Sequence, residues 1–168
     1  MDFLSHYESP IGTITLASDG EFLTGLWFDG QKYAGNALRK RTLSSKSLPI
    51  FSQTEKWLDI YFFGKAPDFT PPLKIAGSEF RKTVLKILQK IPFGNSSTYG
   101  EIAWKIAAEF GKKFMSAQAV GGAVAHNPIS LIVPCHRVLG SSGKLTGYAG
   151  GIERKKFLLA LERIPFKT

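Results

Sequence analysis

Three prolines within six residues, Pro67, Pro71 and Pro72, divide this 168-residue chain. Proline has no backbone N–H and a fixed φ, so such a segment fits neither a helix interior nor a central strand. Short strand-like segments with turn signals precede it, and segments with the 3.6-residue period of helices follow it. The sequence therefore predicts two small domains, residues 1–75 and residues 76–168, in an α+β fold.

The first domain is predicted to be a small three-stranded antiparallel sheet covered by a helix. Asp19-Gly20 is a strong hairpin signal between its last two strands. A helix over 52–63 is expected behind a cap at Ser52, because Glu55 three residues later completes a capping pattern. Residues 29–50 show no clean period and predict a short helix or a loop. The three predicted strands cover residues 3–8, 13–17 and 22–28.

The second domain is predicted to be mainly helical. Thr98 and Glu101 form a capping-box pattern before one helix, and Ser116 begins another at the spacing of a helix-turn-helix. The turn at 141–143 would form a small wing, and the apolar run 129–133 is expected to be a strand. The predicted helices cover residues 78–90, 98–108, 116–125 and 151–162.

The net charge of +9 lies entirely in the second predicted domain. Residues 1–75 contain eight basic and eight acidic side chains, whereas residues 76–168 contain fourteen basic and five acidic ones. This concentration of positive charge favours a polyanionic partner. Nucleic acid is favoured over a membrane surface, because no basic amphipathic helix with an aromatic face accompanies the charge.

No apolar segment approaches the roughly 20 residues that a bilayer span requires. The N-terminus lacks the basic and apolar regions of a secretory signal, so a cytoplasmic protein is expected. Cys135 is the single cysteine of the chain. A disulfide within the chain and a zinc site built from several thiolates are thereby excluded.

Cys135 is followed directly by His136 in the segment Pro-Cys-His-Arg. A thiol with a pKa of about 8.5 is mostly protonated at neutral pH, and an adjacent imidazole is a common means of forming the thiolate. The pair therefore suggests a nucleophile and its base. A buried structural cysteine beside a solvent-facing histidine is the alternative, and the pair alone does not decide between them.

The predicted helix 116–125 is almost free of large side chains and contains Gly121 and Gly122 side by side. Glycine inside a helix costs about 0.5–1 kcal/mol relative to alanine, so close contact with another surface should offset it. One such surface is the DNA minor groove, which is only about 6 Å wide. Close packing against the protein's own core explains the same pattern equally well.

The second half of the chain, from about Phe80 to Glu162, resembles the methylated-DNA–protein-cysteine methyltransferases, also called O6-alkylguanine-DNA alkyltransferases. The matching segments follow one another with the spacing of that family, and Pro-Cys-His-Arg is highly specific for it. They are Tyr99, Ala119-Val120-Gly121-Gly122-Ala123, Asn127-Pro128, Ile132-Val133-Pro134-Cys135-His136-Arg137-Val138, Tyr148-Ala149-Gly150-Gly151 and Leu158-Leu159-Ala160-Leu161-Glu162.

This resemblance implies a suicide DNA-repair protein that acts as a monomer on double-stranded DNA. Such a protein enters the minor groove, flips an O6-alkylated guanine out of the duplex and moves the alkyl group irreversibly onto its own cysteine. O4-alkylthymine is a second candidate substrate, and neither a cofactor nor a metal is used. The resemblance also implies a ribonuclease H-like first domain and a winged helix-turn-helix second domain.

Five residues take catalytic roles by this resemblance. Cys135 is the nucleophile, His136 is its base through a bound water, and Glu162 orients the histidine. Tyr99 donates a hydrogen bond to the guanine ring as the departing base gains negative charge. Asn127 connects the segment after the predicted helix 116–125, the recognition helix of the helix-turn-helix, to the active-site strand.

A second group of residues is expected to bind DNA or the flipped base. Gln118 stands where the family has an arginine that fills the gap in the duplex, and its lack of charge predicts weaker or differently tuned binding. Ala149 stands where some members have a serine, so only a backbone contact survives there. The other expected contacts are Ala119, Gly121, Gly122 and Ala123 on the recognition helix, and Arg137, Val138 and Tyr148 around the base pocket.

Two other functions stay open at this point. An alkyltransferase-like sensor binds alkylated DNA without repairing it, but such proteins lack the reactive cysteine that this chain has as Cys135. A winged helix-turn-helix regulator with an incidental cysteine is the second alternative.

Overall fold

The computed structural model describes residues 1–36, 38, 42–44 and 47–168, and it divides the chain into two compact units. Unit 1 comprises Met1–Ala76 together with the short segment Pro128–Ser130. Unit 2 comprises Gly77–Asn127 and Leu131–Thr168. Among the described residues, no helix has the length and apolar character needed to span a bilayer.

Unit 1 is built on a four-stranded sheet in the order β3-β2-β1-β4. The predicted antiparallel meander is confirmed as β1 (Asp2–Ser9), β2 (Gly12–Ser18) and β3 (Leu23–Phe28). A short fourth strand, β4 (Thr42–Ser44), lies parallel to β1. It occupies part of the stretch 29–50, where a short helix or loop is predicted. Residues 37, 39–41 and 45–46 of that stretch lie outside the described residues.

α1 (Pro49–Phe62) packs on this sheet and contacts β1, β2 and β3. The predicted helix is confirmed, but the expected cap at Ser52 is wrong, because the helix already begins at Pro49 behind Leu48. Proline suits the first helical turn, where its fixed φ is helical and its missing N–H loses no partner. The buried face of α1 consists of Ile50, Phe51, Thr54, Trp57, Leu58 and Tyr61.

Unit 2 is mainly helical, and each of its first three helices begins behind a residue whose side chain caps it. Ser78 accepts a hydrogen bond from the N–H of Arg81 at 3.2 Å. Thr98 and Glu101 form both hydrogen bonds of a capping box, and Ser116 caps the next helix. The helices of this unit are α2 (Glu79–Gln89), α3 (Tyr99–Glu109), α4 (Ala117–Ala125) and α5 (Ile152–Leu161).

Two short strands and a turn complete unit 2. β5 (Ser97–Thr98) immediately precedes α3 and pairs in parallel with β6 (Val138–Leu139). A 3-10 turn over Ser141–Gly143 follows β6, at the position predicted for the wing. α3 and α4 contact each other as the two helices of the helix-turn-helix.

The apolar run 129–133 is not the predicted strand. Ile129 makes one isolated bridge with Leu26, and the residues that follow form a turn in which Leu131 has a φ of +69°. Every side chain of the run is buried. A short apolar run signals burial without fixing the backbone conformation, so the pattern identifies the burial and misses the turn.

Candidate active site

Cys135 lies in a buried 3-10 turn, Cys135–Arg137, between the end of the apolar run and β6. Its side chain is 4% exposed. The Cys135 N–H donates to the Val133 carbonyl at 2.8 Å, and the Asn127 amide donates to the same carbonyl at 2.8 Å. Asn127 therefore connects the end of α4 to the backbone before the thiol, although that backbone is a turn rather than the expected strand.

His136 and Glu162 form a hydrogen bond in the interior of unit 2. Both side chains are fully buried. An ionised carboxylate only accepts hydrogen bonds, so the imidazole Nε2 carries the hydrogen and Nδ1 holds the lone pair that can take up a proton. This arrangement gives the imidazole the tautomer of a general base.

The Glu162 carboxylate has two further partners. Arg137 Nε donates to Glu162 Oε1 at 2.7 Å, and the Gly94 N–H donates to the same oxygen at 3.1 Å. A buried charge is tolerated when it is paired and hydrogen-bonded in this way. Glu162 is therefore a fixed anionic support for His136.

The placement of Arg137 does not fit the predicted contact with DNA. Its side chain is buried, and its guanidinium donates to the Ile91 carbonyl at 2.6 Å as well as to Glu162. The donors of an arginine form a rigid fork, so these two bonds fix the group toward the protein interior. Arg137 thus supports the carboxylate instead of reaching a phosphate.

Burial governs the proton affinities at this site. Burial raises the pKa of the Cys135 thiol, while the neighbouring Asn127 and Tyr148 side chains and the charge of Lys155 oppose that rise. Burial lowers the pKa of the His136 imidazole against the opposing influence of Glu162. The resting site therefore pairs a protonated thiol with a neutral imidazole, which is the starting state for transfer of a proton from sulfur to nitrogen.

Tyr99 is the first residue of α3 and is half-buried. Burial raises the pKa of its phenol, a hydrogen bond with Thr146 opposes this, and the proximity of Cys135 adds to it. The hydroxyl therefore keeps its proton at neutral pH and can act as a hydrogen-bond donor. Tyr99 and Tyr148 both influence the proton affinities at this site.

α4 presents one face to solvent and one to the core. Gln118, Ala119 and Gly122 are exposed, whereas Ala123 is 3% exposed and packs inward. The predicted contact between Ala123 and DNA therefore does not fit this placement. Gly121 lies beside Tyr99, since a Cβ added to it would be 3.9 Å from the tyrosine ring.

Gly122 bears on the two explanations that the sequence left open for this helix. A Cβ added to Gly122 would meet no atom of the protein within 4 Å. Close packing against the protein's own core therefore does not require this glycine.

The remaining predicted residues follow the thiol in the chain. Val138 is fully buried in β6, and Tyr148 and Ala149 are partly exposed in the segment before α5. Within the described ranges, no three His, Cys, Asp or Glu side chains come together as a metal site would require.

Comparisons with known proteins give matches along nearly the whole chain. A family model described as the ribonuclease-like domain of 6-O-methylguanine DNA methyltransferase matches residues 3–75, and the model of the DNA-binding domain matches residues 79–164. The methylated-DNA–protein-cysteine methyltransferase of Haemophilus influenzae is 40% identical over 165 residues, which covers 98% of this chain and 88% of that protein.

The chain belongs to the methylated-DNA–protein-cysteine methyltransferase family. The family member from Mycolicibacterium paratuberculosis is 46% identical over 156 residues, covering 93% of this chain and 89% of that protein. The crystal structure of Mycobacterium tuberculosis OGT in complex with DNA superimposes with a TM-score of 0.84 at 43% identity, covering 96% of this chain and 92% of that one.

Two residues of this methyltransferase family member were missed by the sequence analysis. Lys155 is fully buried on α5 and donates to the Val138 carbonyl at 2.7 Å and to Thr146 Oγ1 at 3.3 Å. The sequence does contain a signal that Lys155 is buried. It precedes Leu158 and Leu159 by three and four residues, so all three side chains lie on the same, buried face of α5. Thr146 carries no such signal.

Replacing Gly122 with leucine separates the two explanations for the small residues of α4. Because no protein atom lies nearby, we expect the free energy of unfolding to rise by about 0.5–1 kcal/mol from improved helix propensity. We expect affinity for duplex DNA to fall by about tenfold or more, since the added side chain would obstruct a narrow groove. Chemical denaturation and fluorescence titration with a labelled duplex measure the two effects.

The matched control for this variant is Ala108→Leu, at an exposed position on α3. It adds a similar side chain to a neighbouring helix and should leave DNA affinity unchanged. Equal DNA affinity of Gly122→Leu and the native protein would show that this face of α4 does not enter the groove.

The buried histidine should make stability depend on pH. The folded state holds His136 with a lowered pKa, so the unfolded chain takes up a proton first as the pH falls below about 6.5. Stability is therefore expected to decrease from pH 7 to pH 5, and His136→Gln should remove part of that decrease. Urea unfolding across this range measures it, with His6→Gln as the control because His6 is exposed on β1. If the stability of all three proteins depended on pH in the same way, the lowered pKa of His136 in the folded state would be contradicted.

Proposed function

We propose that this chain repairs O6-alkylguanine in double-stranded DNA by a single, irreversible transfer of the alkyl group to Cys135. The observation that carries the proposal is the buried hydrogen bond between His136 and Glu162 directly after the only thiol of the chain. The exposed small-residue face of α4 is the natural route to the minor groove. The excess of basic residues after position 75 suits binding to the phosphates that flank the groove.

The reaction is a displacement at the alkyl carbon. Cys135 loses its proton to His136, whose neutral state is favoured by burial and whose orientation is held by Glu162. The sulfur attacks the alkyl carbon, the S–C bond forms and the bond from carbon to O6 breaks. The guanine leaves with the electron pair of that bond and receives a proton, so one thiol and one alkylguanine give one thioether and one guanine.

Tyr99 serves the leaving base in this scheme. Its phenol stays protonated because burial raises its pKa, so it can donate to the guanine as negative charge develops. Its position beside Gly121 links this donor to the helix that would enter the groove. Gln118, exposed in the first turn of α4, is suited to occupy the gap that the flipped base leaves in the duplex.

The base pocket is formed by the segment on the other side of the thiol. Val138, Tyr148 and the backbone at Ala149 would enclose the flipped guanine and exclude water from the reacting atoms. Extruding the base costs a few kcal/mol, which these contacts must recover. The protein acts as a monomer in the cytoplasm, whose reducing environment keeps a single free thiol available.

Mass spectrometry of the protein after incubation with a duplex containing one O6-methylguanine tests the proposal. Transfer adds one methylene to the peptide that contains Cys135, and the amount of modified protein equals the amount of lesion repaired. Tight binding of the lesion with an unmodified peptide would instead identify a sensor of alkylated DNA. Equal binding to damaged and undamaged duplex, without modification of Cys135, would instead support the alternative that the protein is a winged helix-turn-helix regulator.

A further inference from the structure

The turn between the two helices of the helix-turn-helix is longer than this motif requires. α3 ends at Glu109 and α4 begins at Ala117, so seven residues separate them, whereas about three or four typically join such helices. The middle of the turn is Lys112-Lys113-Phe114, and all three side chains are exposed. The Phe114 side chain is 78% exposed, although phenylalanine is a residue that folding usually buries. We call these three residues the turn tip.

Hydrogen bonds fix the backbone on both sides of the turn tip. On the α3 side, the Lys112 N–H donates to the Ala107 carbonyl at 2.8 Å and Gly111 has a φ of +62°, which is a Schellman ending of the helix. On the α4 side, the Ser116 hydroxyl accepts from the Gln118 N–H at 3.1 Å and caps that helix. The exposure of the turn tip is therefore set by a backbone that is anchored at both ends.

Few acidic residues surround the two lysines of the turn tip. The nearest carboxylate before them in the sequence is Glu109, which lines a groove together with Lys86 and Lys90 of α2. After them, no aspartate or glutamate occurs until Glu153. Neither lysine forms an ion pair with any residue that the structure describes. The turn tip is therefore a basic surface that ends in an exposed aromatic ring, and its charge suits a polyanion.

The turn tip is continuous in the chain with the exposed face of α4. Phe114 precedes Gln118 by four residues, so their Cα atoms lie no more than about 14 Å apart. Duplex DNA carries one phosphate charge per about 1.7 Å of its axis, so a duplex that meets Gln118 presents several phosphates close to the turn tip. Proteins that bind the minor groove combine basic side chains with apolar ones such as phenylalanine. Duplex DNA is therefore the partner that fits this surface.

We propose that the turn tip is a second DNA contact, in which Lys112 and Lys113 bind backbone phosphates and the Phe114 ring packs against the deoxyriboses that line the groove. This inference rests on the proposed function, from which it takes DNA as the partner. Gln118 brings no charge to the duplex, so the two lysines supply at the start of α4 an attraction that the glutamine does not.

The salt dependence of DNA affinity tests the two lysines. We expect the double variant Lys112→Gln/Lys113→Gln to bind an undamaged duplex about tenfold less tightly at low salt. The slope of log Kd against log salt concentration should fall by about 1–2, because each lost phosphate contact lowers it by about 1. Lys56→Gln/Lys65→Gln is the matched control, since both lysines are exposed in unit 1. An unchanged slope in Lys112→Gln/Lys113→Gln would overturn the inference.

Phe114→Ala tests the apolar part of the contact. We expect DNA affinity to fall by about threefold or more, with the native salt slope and the native melting temperature, because the ring is exposed in the free protein. Phe63→Ala is the matched control, since Phe63 is 77% exposed in unit 1. Native DNA affinity in Phe114→Ala would overturn the role of the ring.

Photocrosslinking tests directly what the Phe114 ring touches. A photoreactive p-benzoylphenylalanine in place of Phe114 should crosslink to the duplex, whereas the same group in place of Phe63 should not. Absence of a crosslink to DNA at position 114, under conditions in which the protein is bound, would overturn the inference.

Sedimentation velocity without DNA distinguishes a DNA contact from a contact between two copies of the chain. The native protein and Phe114→Ala should both sediment as monomers. A native dimer that Phe114→Ala dissociates would overturn the inference in favour of self-association through the ring.

Methyl transfer by the native protein separates this inference from the proposed function. If the native protein takes the methyl group from O6-methylguanine while the turn-tip variants bind DNA as it does, only the turn contact fails. If the native protein binds the duplex but takes up no methyl group, the proposed function fails, and the salt slopes still decide whether the turn tip binds DNA.

Discussion

Replacing Cys135 with serine is expected to abolish alkyl transfer while affinity for DNA stays within about twofold of the native protein. A serine hydroxyl is a far weaker nucleophile than a thiol at neutral pH, and a neutral imidazole does not ionise it enough for attack on an alkyl carbon. Cys135 is 4% exposed, so its thiol makes no contribution to phosphate binding. The mass of the peptide containing residue 135 and a titration with a fluorescent duplex measure the two properties.

Cys135→Ala serves as the companion variant, because it removes the side chain beyond Cβ without introducing a hydroxyl. Both variants should still bind a duplex with O6-methylguanine in preference to an undamaged one. Loss of folding or of DNA binding in both would show that the cysteine is a structural residue. Methyl transfer by either variant would refute its role as nucleophile.

Glu162→Gln is expected to have the second large effect, on both rate and stability. The amide keeps the shape of the side chain but loses the charge that holds His136 and pairs with Arg137. Removing one partner of a buried pair leaves the other uncompensated and typically costs about 3–5 kcal/mol. Loss of an oriented base lowers a rate by roughly 10²–10⁴. Urea unfolding and single-turnover methyl transfer report these quantities separately.

A second substitution distinguishes the two effects of Glu162. Adding Arg137→Met to Glu162→Gln removes the unpaired cation, so stability should recover in large part while the transfer rate stays low. Glu153→Gln, in the first turn of α5, is the matched control, since that carboxylate is exposed and pairs with Lys156 at 3.3 Å. Transfer at the native rate by Glu162→Gln would contradict the role assigned to this carboxylate.

Local signals in the sequence predicted most of the fold. Asp19-Gly20 located the second hairpin of unit 1, and the capping box of Thr98 and Glu101 located the start of α3. These features depend on residues a few positions apart, so they can be recognised without knowledge of the partner elements. The chemical specificity of Pro-Cys-His-Arg added the family, and it carries the prediction that Cys135 is the nucleophile.

Features that depend on distant partners were not predictable in the same way. β4 exists because its backbone pairs with β1, and its own composition carries no strand signal. The inward placement of Arg137 depends on Glu162 and on the Ile91 carbonyl, which lie 25 and 46 residues away in sequence. A basic residue beside a reactive cysteine fits a phosphate contact equally well until those acceptors are located.

The close packing around Cys135 has a consequence for the molecule after it has reacted. The added methyl group must fit where the sulfur was already almost fully enclosed, and an extra carbon in a packed interior typically costs about 1–3 kcal/mol. A spent copy should therefore melt at a lower temperature than a fresh one. A cell that degrades proteins according to their tendency to unfold would remove methylated copies selectively. The amount of protein that remains would then equal the number of lesions that the cell can still repair.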